Sequence, residues 1–143
     1  NSVIKMTLQE TIQKYYVQGN YNCSETLIHA ANEYYDLKLD EDSMKVLSGF
    51  GGGMFVGSTC GALIGSGAAV SKKGIQSKAH EEIDTFRPQI QKCVRNFKEK
   101  LGGMDCKDIK PIHHDKESRC LKTCLLAGEA LEQTMKDAGI EQA

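Results

Sequence analysis

The 143-residue chain has no tryptophan, two prolines and no Cys-x-x-Cys pair. Without Cys-x-x-Cys, a thioredoxin-type dithiol and a zinc ribbon both lack their local signature, and the covalent haem site Cys-x-x-Cys-His is absent with them. Charge of one sign is not in excess either: 18 basic against 19 acidic side chains leave a net charge of -1. That balance gives nucleic acid and anionic membranes no electrostatic footprint, so neither is expected as a partner. The longest apolar run, after Cys60, is about a dozen residues broken by glycine, well short of the roughly 20 that span a bilayer, so no membrane span is expected. No basic, apolar leader opens the chain. Six cysteines in such a chain point to a reducing, cytoplasmic setting, where thiols serve reactivity or metal binding rather than structural disulfides.

Period-two alternation is missing too, while spacings of three and four recur throughout. Ile4, Leu8, Ile12, Tyr15 and Tyr16 mark an amphipathic helix over Val3 to Gln18, closed by Gly19-Asn20. Asn22-Cys23-Ser24-Glu25 carries a capping residue with a glutamate three positions on, so a second helix starts at about Cys23 and continues through Tyr35. Asp40, Glu41 and Asp42 open a short third helix to about Leu47, their charges opposing the positive end of its dipole. A long amphipathic helix is predicted from near Ser77 to Leu101, kinked at Pro88 and ended by Gly102-Gly103. Met104 to Asp108 reads as one capped turn and Pro111 to Lys116, with His113-His114, as a polar, solvated loop. The last helix is predicted from about Ser118 to Gly139. The expected fold is all-α: one domain over residues 1–143, a helical bundle of about five main helices plus short turns.

Nine of the 14 glycines fall between Gly49 and Gly74. Gly51-Gly52-Gly53 is predicted to be a loop with positive φ. No Gly-Lys-Ser/Thr follows it and no strand precedes it, which argues against a phosphate loop and for a loop that gives space around Cys60. From Cys60 the glycines at 61, 65 and 67 alternate with apolar residues, which reads as a buried helix thin enough for backbones to approach closely. Glycine costs a helix roughly 1 kcal/mol relative to alanine, so three of them require a return in packing or access.

The predicted helix starts divide the cysteines. Cys23, Cys60, Cys106 and Cys120 each fall in a predicted first turn, where unpaired N–H groups and the helix dipole favour thiolate. Cys93 and Cys124 lie inside apolar stripes, where the neutral thiol is favoured. Tyr15, Tyr16, Tyr34 and Tyr35 stand at helical spacing and read as core and rim, and His29 and His80 carry no distinguishing pattern.

At Asn22-Cys23, Gly49-Phe-Gly-Gly-Gly-Met54, Cys60-Gly-Ala-Leu-Ile-Gly65, Cys106 and Cys120 the chain resembles the C_GCAxxG_C_C family, over roughly residues 6 to 138. The resemblance implies a redox-active protein with four characteristic cysteines, here Cys23, Cys60, Cys106 and Cys120, with Cys124 the rival for the last position. Genes of such proteins often lie beside transporter genes, which implies a transporter association.

Three functions fit this reading. In the first, Cys60 is a low-pKa nucleophile and Cys23, Cys106 or Cys120 resolves it, exchanging with a thiol or disulfide partner or a small oxidant and needing no cofactor. The second is a four-thiolate cage of Cys23, Cys60, Cys106 and Cys120 for zinc or an iron–sulfur cluster. The third is a non-catalytic helical module docking on a transporter.

Overall fold

A computed structural model describes residues 5–143. Among these the structure is all-α. The first helix, α1 (Leu8–Gln13), is capped by Thr7 in a reciprocal box with Glu10 and relaxes into a wider turn over Lys14–Gln18. The predicted start at Val3 and Ile4 lies outside the described residues. The next helix, α2 (Cys23–Tyr35), begins where the sequence places it: the Asn22 side chain accepts the Glu25 N–H and the Glu25 carboxylate accepts the Asn22 N–H. A short α3 (Glu41–Met44), capped by Asp40, tightens into a 3-10 stretch over Lys45–Phe50.

The glycine segment then turns left-handed. Gly52, Gly53 and Gly57 have φ of 60°, 61° and 77°, with Met54 and Phe55 between them at 58° and 61°, whereas Gly51, expected to share this conformation, is extended at φ -65° because it directly follows the 3-10 stretch. After it come α4 (Gly61–Gly74), a 3-10 turn over Ala79–Glu82, α5 (Ile83–Leu101), α6 (Cys106–His113) and α7 (Leu121–Asp137). Helix α5 continues through Pro88 and ends at Gly102, whose φ of 85° closes it.

Helices α2 and α4 are the central pair, flanked by α5 and α7, with α1 lying against α2 and α7. Leu27, Ile28, Phe97, Leu101, Leu131 and Met135 fill the core between them. The predicted backbone-to-backbone approach occurs at Gly65: a Cβ there would lie 2.6 Å from the Ser24 carbonyl oxygen and 3.0 Å from Leu27 Cβ.

Helix α5 begins at Ile83, after the 3-10 turn, and not near Ser77, and two further segments differ from the sequence reading. Pro111 to His113 is not loop but the last turn of α6, because Ile109 is buried and anchors the helix, and Pro111 costs only one backbone hydrogen bond. His113 is consequently half-buried, its Nε2–H donating to the Leu101 carbonyl at 3.0 Å rather than to solvent. The second is the start of α7, which falls at Leu121 instead of Ser118. The Asp115 carboxylate accepts the N–H groups of Glu117 and Ser118, and Arg119 at φ 54° closes that turn before the helix begins. No described helix is long and apolar enough to cross a membrane.

Candidate functional site

All four cysteines singled out by the sequence stand at helix N-termini. Cys23 and Cys106 are the first residues of α2 and α6, and Cys60 and Cys120 are the capping residues of α4 and α7. All six cysteines are free thiols. The convergence of distant starts has a local cause. Cys60 N–H donates to the Met104 carbonyl at 2.8 Å and Cys106 N–H donates to the Ser58 carbonyl at 2.7 Å, forming an antiparallel bridge between Thr59 and Asp105. Two backbone bonds thereby tie the start of α4 to the start of α6.

Cys23 reaches the same place through Gly61. A Cβ at position 61 would lie 2.7 Å from Cys23 Sγ and 2.6 Å from the Phe50 carbonyl oxygen. The missing side chain is therefore the space in which the Cys23 sulfur sits beside Cys60. The Cys60 thiol donates a hydrogen bond to the Cys23 sulfur, and the N–H groups of Gly52 and Ser24 also turn toward it. The Cys60 donor, opposed by burial and aided by those backbone groups, pulls the Cys23 pKa down to about 6. Cys60 moves far upward, because its proton is held by Cys23, it is buried and a second negative charge would lie beside the first. Within the expected Cys60–Cys23 pairing, these shifts favour the charge on Cys23 and the proton on Cys60.

The remaining thiols are raised, not lowered as helix starts alone suggest. Burial raises Cys106, with the Cys23 charge adding to it and Lys110 opposing. Burial also raises Cys120, together with Cys23 and Cys106, against Lys110 and Arg119. One charge near the helix starts uses up their capacity to stabilise a second. Cys124, fully buried one turn into α7, is held well above the ordinary range by burial, then by Cys23 and Cys120. Cys93 is pushed up to about 11 by burial alone. Five thiols thus share one neighbourhood centred on Cys23, and Cys93 stands apart on α5.

Tyr16 contributes what its helical spacing did not reveal. Its Oη accepts the Cys120 N–H at 3.0 Å, and the Arg119 guanidinium lies 5.1 Å from its ring centroid. The partners are 104 residues apart, so no local pattern could have linked them. Tyr16→Phe leaves a half-buried N–H without its acceptor and is expected to cost about 1 kcal/mol in chemical denaturation, with faster alkylation of Cys120. An unchanged unfolding midpoint would show that water replaces the hydroxyl.

Among the described residues no group of three or more Cys, His, Asp or Glu is arranged to hold a metal ion.

Residues 21–134 match the family described as "Putative redox-active protein (C_GCAxxG_C_C)". The chain belongs to the C_GCAxxG_C_C family. In the letters of that name Gly-Cys precedes Ala-x-x-Gly, whereas this member has Cys60-Gly61 before Ala62 and Gly65. The geometry accounts for the order in this chain, since Cβ-free space is needed at 61, against Cys23, and a capping position suits the thiol at 60. The chain is also similar, at 30% identity over 129 residues, to a protein of Archaeoglobus fulgidus described as "Uncharacterized protein", the alignment covering 81% of this chain and 85% of the relative. No solved structure matches the chain.

Proposed function

We propose that this C_GCAxxG_C_C protein carries out two-electron thiol–disulfide chemistry, with Cys23 and Cys60 as the exchanging pair and Cys106 and Cys120 as flanking thiols. The observation that carries this reading is geometric: Cys23 Sγ fills the Cβ-free space at Gly61, next to Cys60, and that neighbour is the main influence drawing the Cys23 pKa down to about 6. A thiolate in contact with a thiol is the reduced form of a disulfide waiting to close. Thiol exchange requires the thiolate as nucleophile, and near neutral pH Cys23 supplies it. Cys93 and Cys124 take no part, because burial holds both protons on.

Two measurements test it. Titrating the ultraviolet thiolate absorbance of the reduced protein should give one ionisation near pH 6, rising with pH because the charged form gains as protons are withdrawn. Mild oxidation followed by peptide mapping should then return a Cys23–Cys60 disulfide. A first ionisation at the ordinary thiol pKa, with a different pair or none oxidised, would overturn the proposal.

A further inference from the structure

Burial separates the thiols in a way the exchange reaction must respect. Cys23 is 9% exposed and Cys60 4%, whereas Cys106 and Cys120 are only partly covered. An external disulfide therefore meets an outer thiol before the inner pair. Beside one of those outer thiols stands the most exposed apolar stretch of the described chain: Met54, Phe55 and Val56 are 54%, 76% and 80% exposed. They are not loosely held. Ser58 N–H donates to the Gly53 carbonyl at 2.9 Å, and a Cβ on Gly57 would lie 3.3 Å from Lys107 Cβ, so the segment is closed on itself and seated on the first turn of α6. The Ser58 carbonyl in turn fixes the Cys106 N–H. Met54 and Phe55 also hold left-handed backbone, φ 58° and 61°, a conformation that costs energy in any residue with a Cβ and persists where the surrounding structure enforces it. This closed turn presents three apolar side chains to water on a segment tied to the first turn of α6.

Resting on the thiol–disulfide reading above, we propose that the substrate is a polypeptide disulfide, which docks an apolar flank on Met54-Phe55-Val56 and is attacked first by Cys106. A small oxidant would need no apolar platform, while a polypeptide disulfide needs one to bring its sulfur to a half-covered thiol. Cys106, its proton released to solvent, attacks one substrate sulfur; the substrate S–S bond breaks and the other sulfur leaves as thiolate. The Cys23 thiolate attacks Cys106 Sγ in this mixed disulfide, and the second substrate thiolate departs. Cys60 loses its proton to solvent and attacks Cys23 Sγ, closing the Cys23–Cys60 disulfide and returning Cys106 as thiolate. Two electrons pass from the Cys23/Cys60 pair to the substrate, one disulfide being formed and one broken. Burial and the Cys23 charge hold the Cys106 proton on and Lys110 only partly offsets them, so the first attack gains rate as pH rises.

The test uses reduced full-length protein with two probes, a synthetic peptide disulfide bearing leucine on either side of cysteine, and glutathione disulfide. The wild-type preference for the peptide, taken as a ratio of second-order rates, should fall about tenfold or more in Phe55→Asn/Val56→Ser, the size expected for losing a buried large apolar side chain. Asparagine tolerates the left-handed backbone at 55, so the loop keeps its shape. In Cys23→Ser the mixed disulfide cannot be resolved, and mass mapping should find the peptide on Cys106. An unaltered preference, an adduct on Cys120, or a concentration-dependent dimer abolished by the double variant, which would make a second copy the occupant, would each overturn the inference. If neither probe is reduced and no Cys23–Cys60 disulfide forms, the thiol–disulfide reading itself fails. If glutathione disulfide closes that disulfide without any preference for the peptide, only this inference does.

Discussion

Cys60→Ala should return Cys23 toward the ordinary thiol pKa and cut its thiolate share at neutral pH by between about tenfold and about 100-fold. At pH 7 a thiol of pKa about 6 is roughly nine-tenths ionised, and one at the ordinary 9.0 about one-hundredth. The Cys60 S–H is the largest influence lowering Cys23, burial acts against it, and the Gly52 and Ser24 N–H groups remain after the substitution. The pKa is therefore expected to climb at least about two thirds of the way from about 6 to the ordinary 9.0, with burial deciding how far. Cys60→Ser keeps a hydroxyl donor and should hold part of the shift. The checks are the pH profile of thiolate absorbance and the alkylation rate of Cys23 in both variants. A midpoint still near pH 6 in Cys60→Ala would mean that the backbone N–H groups alone hold the charge, and would remove the observation on which the redox pairing rests.

Gly61→Ala should destabilise the protein by about 2 kcal/mol, while Gly67→Ala, six residues along the same helix, should stabilise it by about 0.5–1 kcal/mol. Alanine has the better helix propensity at both positions, so propensity alone predicts the same sign. The surroundings separate them. At 61 the new methyl meets the Phe50 carbonyl oxygen at 2.6 Å and Cys23 Sγ at 2.7 Å, neither of which can withdraw without moving the loop or α2. At 67 nothing lies within 4 Å. Overpacking of this kind costs ~1–3 kcal/mol, enough to exceed the propensity gain at 61. Because the displaced atom is the Cys23 sulfur, Gly61→Ala should also weaken the shared proton and raise the Cys23 pKa. Denaturant unfolding of the two variants beside the wild type checks the sign. Equal stabilisation of both would show that the loop yields and that the thiol contact is not tightly packed.

Helix starts were legible because capping is local chemistry. Asn22 with Glu25, and Asp40 with Ser43, satisfy N–H groups three residues away, so residue type at fixed spacing carries the information. The same locality made the four helix-start cysteines identifiable as a set and separated them from Cys93 and Cys124. The Pro111 segment was misread for the complementary reason: a proline in a short polar stretch signals a loop, and only burial of Ile109 against the rest of the chain overrides it. The start of α7 was misplaced because Asp115 and the left-handed Arg119 make a turn that spacing alone does not announce.

The sequence by itself determined that this is an all-α chain, which glycines cluster around Cys60, and which thiols stand where backbone N–H groups are unpaired. Only the tertiary structure decided which thiols lie beside Cys23 and what bears on its charge. That depends on the Cys60 S–H, the Gly52 N–H and the Gly61 space meeting at Cys23, and on Tyr16 reaching Cys120 across 104 residues. Helix termini offer each thiol a similar local field, but charges on neighbouring thiols are coupled, so the first to ionise suppresses the others. Such coupling depends on separations between chain-distant atoms, and no one-dimensional spacing encodes it.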